Sequence, residues 1–146
     1  MKPEETIDFH IRWAWYKIAR MYNDEAAKYG STMAVGYVLL SIDFENGTPS
    51  TKLGPQMGME PRSLTRILKS MEKKGVIYKK ADKNDKRMVY IHLTELGKEK
   101  REIAKQTVLN FNNTIYEKIP QSKLNVFFEV MKKVNQILDE KGSGNR

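Results

Sequence analysis

Cysteine is absent from this chain. That excludes disulfides, thiolate metal sites and thiol-based redox sensing from its own residues, and it accords with a reducing, cytoplasmic location. Histidine is nearly as scarce. His10 and His92 stand 82 positions apart, so a zinc site would have to recruit carboxylates around a single imidazole, and no metal site is expected. His92 alternates outward with Tyr90 on its strand, which suits a solvated or hydrogen-bonding role. No run approaches the roughly 18 apolar residues of a membrane span. The start MKPEETIDFH is acidic where a secretory leader would be positive. Missing too are a Ser/His/Asp grouping, a glycine-rich phosphate loop and a carboxylate pair above chance, so neither catalysis nor a cofactor is expected.

What is present is positive charge, unevenly placed. The 146 residues carry a formal net charge of +8, enough chain for one domain spanning 1–146. Residues 48–101 hold 14 Lys/Arg against 6 Asp/Glu, whereas the remainder holds 12 against 12. All the surplus lies mid-chain. Solubility alone requires no such clustering, but a polyanionic partner rewards it, because each neutralised phosphate releases counterions.

Within that basic centre, Pro61 to Thr94 reads as helix, glycine stop, strand, charged turn and strand. Leu64, Ile67, Leu68 and Met71 recur at helical spacing and form a stripe that must be buried, leaving Arg62, Ser63, Arg66, Lys69 and Lys73 on other faces. Gly75 suits a left-handed helix cap. The spacing predicts strands over 76–82 and 88–93 around a turn-rich connection, with a short third strand near 47–49. Upstream, Ser50 or Thr51 is expected to cap a short helix with Leu53 and Met57 inward. Gly58 ends that helix, and Pro61 suits the first position of the next, giving a helix-turn-helix. Gly54-Pro55 interrupts the first of these two helices with a residue that lacks a backbone donor.

The ends read differently. From Ile7 to Tyr22 apolar and aromatic residues leave almost no polar face, so a helix there is expected to be buried on more than one side, partly by a second copy. Thr32 to Phe44 gives another apolar helix. Thr94 can cap a long helix with Ile103, Val108, Phe111, Ile115 and Ile119, stopped at Pro120. Ser122 can open a last helix with Leu124, Phe127, Phe128, Met131, Val134 and Leu138 on one stripe. The fold class is therefore mainly α: a winged helix-turn-helix with a small β-wing over 32–101, terminal helices over 1–30 and 103–141 forming a dimerisation region, and a disordered tail at 142–146.

Asp85-Lys86-Arg87, then Leu93-Thr94 and Gly97, together with Ser63-Leu64-Thr65-Arg66 and Met71 to Ile77, resemble the wing signature and recognition helix of the MarR (multiple antibiotic resistance regulator) family of winged-helix bacterial transcription factors. The resemblance covers nearly the whole chain. It implies that Arg62, Ser63, Thr65, Arg66 and Lys69 face a major groove and that Arg87 enters a minor groove. Asp85 would brace the wing, Lys83 and Lys86 would lie on phosphates, and Ser50 and Thr51 would complete the DNA-contacting set. It further implies a homodimer on a pseudo-palindromic double-stranded operator. A small lipophilic or aromatic effector would bind between the terminal helices and the DNA-binding lobe, with Trp13, Tyr16 and Tyr37 as its candidate contacts.

The expected function is that of a homodimeric, sequence-specific transcriptional regulator, in the repressor sense. The alternative is a winged-helix interaction or architectural DNA-binding module without a ligand, which would discriminate poorly between duplexes. A third class, an enzyme using the first-helix aromatics, lacks a nucleophile and base.

Overall fold

The computed structural model describes residues 1–144. A 3-10 turn at Pro3–Glu5 leads into α1 (Ile7–Ala27), followed by α2 (Met33–Ser41), β1 (Thr48–Pro49), α3 (Ser50–Met57), α4 (Pro61–Lys73), β2 (Ile77–Ala81), β3 (Val89–Leu93), α5 (Glu95–Lys118) and α6 (Gln121–Gly144). The sheet is antiparallel in the order β1-β3-β2. Two compact units emerge, one over 1–107 and one from Val108 onward, with the boundary inside α5.

The first unit holds the core. Val38, Leu39 and Ile42 from α2 and its exit meet Leu53 of α3, Leu64, Leu68 and Met71 of α4, and Val76, Ile77, Ile91 and Leu93 of the sheet, with Val35, Met57, Ile67 and Val89 packed against them. The stripe expected on α4 is the buried stripe, and Leu53 is fully enclosed. Gly75, at φ +75°, turns the chain out of α4 into β2 where a left-handed residue was expected.

Local chemistry sets the boundaries. Thr32 caps α2, its Oγ1 accepting from the Val35 N–H at 3.3 Å. This helix stops at Ser41, earlier than the expected Phe44. Ile42 is extended, and Asp43 Oδ1 accepts the N–H groups of Glu45 and Asn46, closing a turn that Gly47 completes at φ +71°. The caps expected from Ser50 or Thr51 are not made: Pro49 holds the capping position of α3 without a side-chain bond, and Ser50 is already helical. Pro55 is accommodated within α3, whose eight residues end at Gly58, φ +62°, where Gly54 and Pro55 carbonyls accept from Met59 and Gly58.

The Thr94 cap is present. Its Oγ1 accepts from the Gly97 N–H at 3.0 Å and donates to the Gly75 carbonyl at 2.6 Å, while its N–H donates to the Val76 carbonyl at 3.1 Å. The exit of α4, the end of the wing and the start of α5 thus share one residue.

In the second unit α6 begins at Gln121 rather than being opened by Ser122; the Pro120 carbonyl accepts from Lys123 and Leu124. The helix continues through Gly144, into the stretch 142–146 expected as a tail. Asn145 and Arg146 lie outside the described residues. Leu124 is buried and Met131 and Val134 half-buried, but Val126, Phe127, Phe128, Val130, Ile137 and Leu138 are exposed. In the first unit α1 likewise exposes Ile7, Ile11, Trp13, Trp15 and Tyr16; its one buried apolar residue is Tyr22. The burial on several sides expected of α1 is therefore not provided within the first unit. No helix is long and apolar enough to cross a membrane, among the described residues.

Candidate nucleic-acid interface

Two features of the first unit project cations outward. On α4 the buried stripe fixes the rotation of the helix, and Arg62, Thr65, Arg66 and Lys69 are consequently exposed, with Ser63 half-buried. Among the described residues Arg62, Arg66 and Lys69 form no ion pair, so their charge is available to an external anion. Thr65 is partly engaged: its hydroxyl donates to the Pro61 carbonyl at 2.8 Å, which leaves it as a hydrogen-bond acceptor toward a partner. Glu60 precedes the helix without capping it, so its carboxylate is uncommitted at the same end.

The wing is the second feature. Between β2 and β3, Asp82 N–H donates to the Met88 carbonyl at 2.9 Å and Met88 N–H to the Asp85 carbonyl at 3.0 Å, making a compact turn. Asp85 Oδ1 accepts from the Arg87 backbone N–H at 3.0 Å and from Arg87 Nε at 3.2 Å. The Arg87 side chain is 91% exposed, while Asp85 is 38% exposed. One carboxylate thus holds both the backbone and the exposed guanidinium of Arg87, the arrangement that the family resemblance implies for Asp85. Lys83 and Lys86 flank it, exposed and without ion pairs among the described residues. Ser50 and Thr51, half-buried and exposed, stand at the start of α3, with Lys52 and Gln56 exposed further along the same helix. Those last two were not singled out in the sequence, because polar residues on an exposed helical face carry no periodic signal of their own.

The wing is tied to α4 by two contacts that sequence reasoning did not anticipate: the Thr94 bond to Gly75, and an ion pair of Lys79 with Glu72 at 3.9 Å. Both span the loop at Gly75. Only a fold brings residues 19 positions apart into such contact.

The aromatic candidates separate into two groups. Trp13 makes edge contacts with Phe9 at 6.0 Å and Tyr16 at 6.2 Å. Tyr37 instead stacks on Trp15 at 6.5 Å and meets Tyr22 edge-on at 6.1 Å. Burial raises the Tyr37 pKa, and burial with the neighbouring Tyr37 raises that of Tyr22, so both phenols stay neutral across the physiological range. Trp13 and Tyr16 share a face; Tyr37 belongs with Trp15.

Comparison with known proteins extends this picture. The MarR family model matches residues 32–89. Over 102 residues the chain is 32% identical to the HTH-type transcriptional regulator SarZ of Staphylococcus epidermidis, covering 67% of this chain and 69% of that protein. Among solved structures, the Staphylococcus aureus MepR-DNA complex aligns with a TM-score of 0.81 at 16% identity, over 90% of this chain and 97% of that one. CouR from Rhodococcus jostii RHA1 bound to p-coumaroyl-CoA aligns with a TM-score of 0.80 at 20% identity, over 92% and 94%. At such identities the two structures speak to the fold, which is the winged helix.

Proposed function

Because this chain belongs to the MarR family of transcriptional regulators, and is a DNA-binding regulator rather than an enzyme, we propose that it acts as a homodimer that reads a pseudo-palindromic duplex and represses transcription by occupying it. The observation that carries this reading is the unpaired cationic face of α4, with Arg87 held outward at the wing tip by Asp85. In the proposed complex Arg62, Ser63, Thr65, Arg66 and Lys69 face base edges in the major groove. Arg87 enters a minor groove, where a narrow A·T tract concentrates negative potential. Lys83, Lys86, Ser50 and Thr51 lie on the sugar-phosphate backbone and set register without reading sequence.

The exposed apolar residues of α1, and separately those of α6, support dimerisation. Large contiguous apolar surface is uncommon on a monomer, and a second copy is the partner present wherever the chain is made. Two related half-sites one helical turn apart would also double the contacts of a single recognition helix. A small lipophilic or aromatic effector would lie against Trp13 and Tyr16, with Tyr37 beside Trp15 as the third contact, and the CouR structure is bound to p-coumaroyl-CoA. Such a ligand regulates only by unequal affinity for DNA-competent and DNA-incompetent arrangements.

Selection of bound duplexes from a random pool tests the reading directly. The expected outcome is an enriched inverted repeat bound about 10³-fold or more above random duplex. Discrimination far below that, with no symmetric site, would favour an architectural module. Sedimentation reads the dimer independently. Arg87→Ala is expected to weaken specific binding while leaving the sedimenting species unchanged, whereas Lys83→Ala lowers the salt slope by about one with sequence preference retained.

A further inference from the structure

The face of the small sheet opposite the core carries a second cluster. Tyr78 lies opposite His92 and Lys80 opposite Tyr90 in the β2/β3 register. Ile77, Ile91 and Leu93, at alternate positions, fill the core, so these four side chains share the other face. The Tyr78 and His92 rings stack at 5.1 Å with 13° between their planes, and the Tyr90 ring lies 6.4 Å from the imidazole. Gly47 backs that imidazole so closely that a Cβ there would lie 2.7 Å from two of its ring atoms. Beside the aromatic ladder opens a cleft of about 220 Å³ whose lining includes Asn46, Lys80, Asp82, Lys83, Tyr90 and His92.

The donors around this cleft are uncommitted. The Asn46 carboxamide, Tyr90 hydroxyl, His92 ring and both lysine ammonium groups make no side-chain hydrogen bond or ion pair among the described residues. Lys79, the neighbour on the core side of the same strand, does pair, with Glu72. Asp82 is the single negative group in the lining, so two ammonium groups outnumber it.

We propose that this face binds a nucleotide, its phosphate held in the cleft by Lys80 and Lys83 with Tyr90 and Asn46 donating, and its base laid against the Tyr78–His92–Tyr90 ladder. The cleft is smaller than the roughly 300 Å³ or more of sites that enclose a whole drug-sized ligand. It therefore takes the phosphate end, while half-exposed Tyr78, outside the lining, offers a surface for a ring. A bare oxyanion would use the lysines and leave the ladder idle, and an acidic peptide brings no π face to it. Base stacking on aromatics adds affinity irrespective of sequence. The nucleotide is either free or one unit of a single strand; α4 takes no part and Lys83 is the one residue shared with the duplex reading, so Lys80 and Tyr90, which that reading does not use, test this site separately.

The test is an NMR titration of the full chain with adenosine 5′-monophosphate, with inorganic phosphate and with a short single-stranded oligonucleotide, following the His92 and tyrosine ring resonances. The monophosphate is expected to shift those rings and to saturate with half-occupancy below about 1 mM. Phosphate alone is expected to bind at least about tenfold more weakly, the contribution of one stacked base. Lys80→Gln and Tyr90→Ala each weaken the nucleotide by about tenfold, whereas Tyr90→Phe keeps its ring shifts, and the methyl spectrum of each variant reports its fold. A strand that displaces the monophosphate at lower concentration identifies the single strand as the ligand; one that does not identifies the free nucleotide. No ring shift at about 5 mM monophosphate, phosphate binding as tightly as the nucleotide, or a correctly folded Lys80→Gln variant binding like the parent would each overturn the proposal.

Discussion

Gly97→Ala is expected to be among the most damaging single-methyl additions available in this chain, although alanine is the better helix former. Gly97 sits in the first turn of α5, buried, where an added Cβ would overlap the Val76 carbonyl oxygen. A carbon and an oxygen ordinarily approach to about 3.3 Å, so backbone must move by more than about 1 Å. That carbonyl also accepts the Thr94 N–H, and Gly97 itself donates to Thr94 Oγ1. Any relief therefore strains the bonds joining α4, the wing and α5. Overpacking costs about 1–3 kcal/mol or more, and a compromised half-buried hydrogen bond adds about 1–3 kcal/mol. Against this stands a gain of about 1 kcal/mol from helix propensity. The net expectation is a destabilisation of about 1–5 kcal/mol, which at this size lowers Tm by roughly 3–20 °C.

Thermal unfolding at fixed protein concentration measures it, since Tm of an associating protein depends on concentration. Gly36→Ala supplies the contrast. In α2 the added Cβ would meet only Ala104 Cβ, at an ordinary 3.7 Å, so the propensity term acts alone and Tm should hold or rise by a few degrees. A Gly97→Ala protein melting within about 1 °C of the parent would refute the reasoning, as would equal effects of the two substitutions.

Other expectations follow from the same geometry. Asp85→Ala should change stability by less than about 1 kcal/mol, because its ion pair with Arg87 is solvent-exposed, yet weaken duplex binding several-fold by freeing Arg87; Asp85→Asn, which keeps an acceptor for the Arg87 N–H, should recover part of the loss in a titrated binding assay. Leu53→Ala empties a fully buried position between α2, α3 and α4 and should cost about 2–5 kcal/mol by denaturant unfolding. The backbone N–H groups of Asn46 and Glu45 hold the Asp43 carboxyl below its usual 3.8, with Arg101 assisting. Its contribution to stability is complete above the ordinary carboxylate range and is lost as pH falls through the lower folded value; a carboxyl NMR titration midpoint at or above 3.8 would contradict the turn geometry.

Residues near in sequence carried most of the fold on their face. The stripe of Leu64, Ile67, Leu68 and Met71, the glycines at 58 and 75, and the Thr94 cap are local patterns whose physics acts within a turn or two, so spacing alone revealed the helix-turn-helix, its stops and the wing. The excess of cations at 48–101 was equally visible. Local reading failed where two local solutions compete. Ser50 and Thr51 have capping side chains, but Pro49 at φ −56° already supplies the extended entry and the helix starts without them.

Neighbouring residues were enough to reveal the buried stripe of α4, the glycine stop at Gly75, the Thr94 cap and the surplus positive charge on the winged segment, because periodicity, caps and charge act over short stretches of chain. Tertiary structure alone decided what those pieces touch. It joined Thr94 to Gly75, set Gly97 against the Val76 carbonyl, separated Tyr37 from Trp13 and Tyr16, and laid Tyr78, His92 and Tyr90 side by side on a cationic face. Such contacts depend on strand register and on the packing of elements distant along the chain, which no short window of residues encodes.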